Sequence, residues 1–234
     1  MHPSQSPFPC HWWGTGLENA GLGLVRPSVS TYGLYDFNQL PPLPFEFKGD
    51  FAWLAAAPMR AHHIGSERVA ANALTRPLLQ DAATRMGLRL PEPLMTFVAD
   101  PALCQRVRSN TDCFLNLGVA PVPSPIGGGH LIRFLADSQG CIFWYVYLTP
   151  DGADHAVVST PGFYGTESEQ WQEEPPDPRE IVFTAESFET FMCRFWLENE
   201  IWFAAYEKTP MPDAGRAYIE HYRGLQGAAE TDRV

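Results

Sequence analysis

Seven histidines, five cysteines and one dense acidic stretch are the residues of this chain whose types could do chemistry. The histidines stand at 2, 11, 62, 63, 130, 155 and 221, and only His62 and His63 adjoin. Neighbouring residues seldom face one metal ion, and the sequence holds no His-Glu-x-x-His, Gly-x-Ser-x-Gly, P-loop or calcium-loop pattern. The cysteines at 10, 104, 113, 141 and 193 form no Cys-x-x-Cys pair, so neither a zinc site nor a redox motif is indicated. Cys113, Cys141 and Cys193 read as small buried apolar residues. With so many thiols and imidazoles, accidental Cys/His pairs outnumber a nucleophilic one. Glycines at 14, 16, 21 and 23 miss the Gly-x-Gly-x-x-Gly spacing of a nucleotide loop. The residues therefore assign no catalytic group, no metal and no cofactor.

The acids carry the stronger signal. Residues 165–180, GTESEQWQEEPPDPRE, hold six acids and one base, and read as an exposed loop. Residues 151–234 carry 17 acids against 6 bases, a balance of −11 that equals the net charge of the whole chain. Such a surface repels nucleic acid and suits a basic protein. Glu167, Glu169, Glu173, Glu174 and Asp177, with Trp171 among them, form the first candidate contact surface. An exposed tryptophan is either tucked back or an anchor for a partner.

The elements that must hold this loop centre on Leu131–Leu148, LIRFLADSQGCIFWYVYL. Two apolar halves flank Asp137-Ser138-Gln139-Gly140, which suits a type I turn with Gly140 at positive φ. In the second half Cys141, Phe143, Tyr145 and Tyr147 alternate with Ile142, Trp144, Val146 and Leu148. Neither set is polar, so both faces of this strand are predicted to be covered, as in a central strand. Arg133, amid apolar neighbours, reads as exposed or salt-bridged. Thr149-Pro150-Asp151-Gly152 is a second turn, and His155–Thr160 a third strand of the meander.

Before the meander, residues 1–65 hold eight prolines together with aromatics, Trp12, Trp13, Phe37, Phe45, Phe47, Phe51 and Trp53 among them, that argue against disorder. They are predicted to be an irregular, aromatic and Pro-rich extension covering one face of the sheet, with a short strand at Phe45–Lys48 and a short helix at Asp50–Ala57. From Ser66 a helix is predicted with Val69, Ala70, Ala73 and Leu74 inward. Pro77 should break it, a second piece running to Met86. A helix over Pro93–Ala99, another over Leu103–Val107 and a strand at Cys113–Leu117 follow. After the acidic loop, Thr184 is the expected cap of a long aromatic helix over the other face of the sheet. Asp213 starts a last helix that should stop by Gly224, leaving 225–234 as a frayed tail. The fold class is thus α+β, a mostly antiparallel β-meander packed against helices. No apolar run reaches the ~18 residues of a membrane span, and no signal peptide is evident, so a cytoplasmic location is expected.

The order of elements is similar to that of the SUKH superfamily, the cell-wall-assembly-regulator-like family. Leu90-Pro91, Phe97, Asp137 to Gly140, Ser187-Phe188 and Phe191 occupy the places of its short motifs, over roughly residues 66–205 within a domain spanning 66–224. The resemblance implies a protein-binding module without catalytic residues. Many bacterial members are immunity proteins that bind and neutralise a cognate toxin. The alternatives are an intracellular regulatory scaffold, or an enzyme or small-ligand receptor using a cleft beside the sheet.

Overall fold

The computed structural model describes residues 1–166 and 175–231. In chain order the strands are β1 (His11–Gly14), β2 (Gly33–Asp36), β3 (Phe114–Leu115), β4 (Val122–Pro123), β5 (His130–Ala136), β6 (Phe143–Leu148), β7 (His155–Thr160) and β8 (Val182–Ala185). The helices are α1 (Val69–Arg85), α2 (Glu92–Ala99), α3 (Pro101–Cys104), α4 (Phe188–Glu207) and α5 (Asp213–Thr231). The main sheet is antiparallel throughout, in the order β3-β5-β6-β7-β8, with β4 also paired to β5. The fold is α+β, an antiparallel sheet packed against helices.

The hairpin of β5 and β6 turns where its polar tetrad stands. Gly140 takes φ 72° and its N–H donates to Asp137 O at 3.0 Å. Strand β6 is central, and its two side-chain sets part as the alternation requires. Ile142, Trp144, Val146 and Leu148 enter the larger core cluster, while Tyr145 and Tyr147 enter a second cluster on the opposite face. Phe143 joins that second face but is only half-buried, and Cys141 lies exposed at the turn rather than buried. Alternation fixes a face only within the paired strand, and Cys141 precedes its first residue. In β5 the register shifts between Arg133 and Leu135, so Phe134 and Leu135 both point into the larger core.

The N-terminal segment covers both faces instead of one. Phe8 and Phe37 pack on the Tyr145–Tyr147 side, and Phe183 N–H donates to Pro9 O along the outer edge of β8. Trp12, Leu17, Leu22, Phe51 and Leu54 pack with α4 in the larger core. The segment also contains its own antiparallel pair, β1 with β2. The expected strand at 45–48 is absent and the expected helix at 50–57 is one 3-10 turn, Ala52–Leu54. The cause lies on α4. The Glu189 carboxylate accepts from Gly49 N at 2.5 Å, Phe51 N at 3.0 Å and Trp53 Nε1 at 3.1 Å, fixing the chain outside regular geometry.

Helix α1 runs straight through Pro77. Ala73 and Pro77 both face solvent, where water can satisfy the carbonyl that the missing N–H abandons. Its inward residues are Leu79, Ala82 and Ala83, and the expected Val69, Ala70, Ala73 and Leu74 are exposed, Leu74 at 73%. Apolar residues ring this helix, so periodicity did not single out one arc. Thr184 lies in β8, its hydroxyl bonded to Ser159 at 2.7 Å, and Ser187 caps α4 through Thr190 N at 3.1 Å. Helix α5 passes Gly224 and continues through Thr231. An interior glycine costs only about 1 kcal/mol and does not end a helix by itself.

Helix α4 is the hub, with residues buried on all sides from Phe188 to Ala204. Each of its buried charges docks a segment of chain. Glu189 holds residues 49–53, and Arg194 donates to Pro41 O at 3.0 Å and Tyr218 Oη at 3.0 Å. Glu198 accepts from Arg26, Tyr218 and Trp12, and Glu200 from Arg60 and Arg108.

Candidate functional site

Between β7 and β8 the chain leaves the sheet, passes through the acidic stretch and returns. Its neck is fastened to the central strand by Tyr145. The Tyr145 hydroxyl donates to Gly162 O at 3.2 Å and accepts from Tyr164 N at 2.8 Å. Tyr164 Oη in turn donates to Pro176 O at 3.4 Å, across the neck. A Cβ on Gly162 would lie 2.4 Å from Pro176 Cβ, so the two sides of the neck meet where only glycine fits. Phe163 seals the outgoing side, 5.2 Å from Phe143 and beneath the Arg133 guanidinium at 4.3 Å. Arg133 is therefore buried rather than exposed, and its Nε donates to Asn116 O at 3.3 Å.

The returning side is acidic. Burial, then the charges of Asp177 and Glu180, push the Tyr164 phenol up to about 12. Asp177 caps a 3-10 turn, Pro178–Glu180, accepting from Arg179 N at 2.9 Å and pairing with the Arg179 guanidinium at 2.7 Å. The Arg179 hydrogen bonds hold the Asp177 carboxyl below the usual carboxylate range. Of the other residues singled out for partner contact, Glu167, Glu169, Trp171, Glu173 and Glu174 lie outside the described residues.

A second concave region lies at the far end of α4. Arg60, His62, His63, Ser66, Arg108 and Cys113 line a cleft of about 390 Å³. Here the fold brings a thiol and two imidazoles to one cleft. Burial pushes the Cys113 thiol up to about 11, against hydrogen bonds from Ser109, Thr111 and Tyr32. Its sulfur is 3.3 Å from Thr111 Oγ1 and 3.4 Å from Tyr32 Oη, which donates to Asp137 Oδ1 at 2.7 Å. A thiol with that pKa is ~10⁻⁴ thiolate at neutral pH, which suits packing and not attack. Burial, then the neighbouring His62, lowers the His63 pKa. Among the described residues no group of three or more His, Cys, Asp or Glu could hold a metal ion. No described helix is long and apolar enough to cross a membrane.

No family model, curated protein or solved structure matches this chain. Its sites must be read from their own geometry. Sequence reasoning missed Tyr145, Gly162 and Tyr164 as the clamp of the acidic stretch. The available signal was a tyrosine in a central strand, whose hydroxyl needs a partner when buried. It also missed the ion pairs of Arg60 and Arg108 with Glu200. There the signal was a carboxylate inside an otherwise aromatic helix.

Proposed function

We propose that this chain is a non-catalytic protein-binding module, similar to an immunity protein, that neutralises a cognate toxin with a basic surface through its acidic stretch. The observation that carries the proposal is the clamped neck. Tyr145 holds Gly162 and Tyr164 on the outgoing side, and Tyr164 reaches Pro176 on the returning side, so both sides of the neck are fastened to the central strand. Partner contacts set on rigid scaffolds lose less freedom on binding. The charge of residues 151–234 favours a basic partner, and the short motifs shared with the SUKH superfamily support the immunity reading.

The test uses the full chain and a partner co-purified from the native host. Long-range attraction is screened beyond about 8 Å at physiological salt, so association should slow as salt rises while dissociation changes less. Changing Glu167, Glu169, Glu173 and Glu174 to Gln, with Asp177→Asn, should reproduce that slowing at low salt. Trp171→Ala should speed dissociation instead, as loss of a buried anchor does. An unchanged association rate in the five-residue variant, with unchanged protection against the toxin, would remove the acidic stretch from the interface and sink the proposal.

A further inference from the structure

Helix α1 is held to the fold by one side only. Of its 17 residues Leu79, Ala82 and Ala83 are buried, and Asn72 pins the inward face. Asn72 Nδ2 donates to Leu115 O at 2.9 Å and Asn72 Oδ1 accepts from Leu117 N at 3.1 Å, which fixes the direction in which the rest of the helix points. The outward face is apolar where a lone surface helix carries charge. Leu74 is 73% and Leu78 53% exposed, beside exposed Ala70, Ala71 and Pro77. Most helical stability comes from packing, and Pro77 removes an internal hydrogen bond, so this helix has more than most to gain from a second contact.

Its exposed residues have the spacing of a two-helix seam. From Glu67 at the helix entrance, Ala71, Leu74, Leu78, Asp81 and Arg85 follow at alternating four- and three-residue steps, and all six are exposed. The seam is its own complement. Turned end for end about the level of Arg76, it sets Leu74 against Leu78 of a second copy, Ala71 against Asp81 and Glu67 against Arg85, and a twofold axis makes each contact twice. Leucines then meet at the centre, the small Ala71 leaves the Asp81 carboxylate open to water, and opposite charges close both ends. No ion pair among the described residues uses Glu67 or Arg85. A parallel pair would instead set Glu67 on Glu67 and Arg85 on Arg85. Charge elsewhere favours the same face. Residues 151–234 carry the whole balance of −11, so two copies repel there, whereas residues 66–150 hold six acids and seven bases.

We infer that α1 is a self-association face that pairs antiparallel with α1 of a second copy of this chain. A face about 26 Å long and about 10 Å wide buries less than the roughly 800 Å² per partner of stable interfaces, so the dimer is weak and reversible, with a Kd of order 100 μM. The face is separate from the acidic stretch, and its test leaves that reading untouched. Sedimentation velocity of the full chain, from about 10 μM to about 1 mM, should show a monomer–dimer equilibrium, and Leu74→Gln should weaken it more than about tenfold. Glu67→Arg and Arg85→Glu, each alone, should weaken it about tenfold by facing like charges, and an equimolar mixture of these two variants should dimerise again, because each then meets its opposite on the other chain. A chain that stays monomeric at millimolar concentration overturns the inference and leaves the face to a different protein. So does a dimer indifferent to Leu74→Gln, or a mixture that fails to restore pairing. The changed side chains are exposed, so thermal melts should match wild type; should Leu74→Gln melt early, the mixture decides the matter.

Discussion

Replacing Glu198 with Gln should be among the most damaging isosteric changes in this protein. Four donors converge on that one carboxylate: Arg26 Nη1 at 2.5 Å, Arg26 Nη2 at 2.8 Å, Tyr218 Oη at 2.6 Å and Trp12 Nε1 at 2.7 Å. Arg26 is 0% exposed, so water cannot take over when the negative charge is lost. An amide offers one acceptor, and its NH₂ meets two of those donors head-on. Leaving a buried partner uncompensated costs about 3–5 kcal/mol. For a chain of this size that is a fall in Tm of roughly 10 °C. Urea denaturation of both proteins at neutral pH measures it. Substituting Arg26→Met together with Glu198→Met should recover about half of the loss, because only Trp12 and Tyr218 then lack an acceptor.

Acid supplies a second reading of the same group. Burial pushes the Glu198 carboxyl up, but the Arg26 charge and the bonds from Arg26, Tyr218 and Trp12 outweigh burial and hold it below its ordinary value. A depressed folded pKa gives stability that is present above the unfolded value of about 4.3 and is lost as pH falls through the folded one. The stability gap between wild type and Glu198→Gln should therefore narrow in acid. A Glu198→Gln protein within about 1 kcal/mol of wild type at neutral pH would refute the reasoning, for it would mean that Arg26 finds another partner.

Two further outcomes test the wrapping of the sheet. Deleting residues 1–60 should yield insoluble or unfolded protein, since it strips Phe8 and Phe37 from one face and Trp12, Phe51 and Leu54 from the other; a soluble, cooperatively melting truncation would show that the sheet does not need them. Native protein treated with a thiol reagent at mildly alkaline pH should be labelled first at Cys141, which is exposed, while Cys104, pushed up to about 12 by burial and Asp100, and Cys113 and Cys193 stay protected until denaturant is added. Peptide mass mapping reads the order, and early labelling of Cys193 would place α4 nearer the surface than the fold allows.

The meander was legible because its determinants are local. Asp137 and Gly140 set one turn, Thr149 to Gly152 another, and two-residue alternation assigns Trp144 and Tyr145 to opposite faces wherever the strand is paired. The same locality shows the acidic stretch as a run of charge. What lay outside reach depends on partners distant in the chain. Glu198 reaches back 172 residues to Arg26, and Glu189 holds a loop about 140 residues earlier, so neither the path of the N-terminal segment nor its capture of both faces follows from its own prolines and aromatics. The clamp on the acidic stretch is the same case on a smaller scale. Tyr145 reads simply as a core aromatic in β6, and only the folded chain brings Gly162 and Tyr164 to its hydroxyl. Side-chain period records which residues leave water. It does not record which polar group each buried charge must find, and that pairing is decided by the tertiary structure.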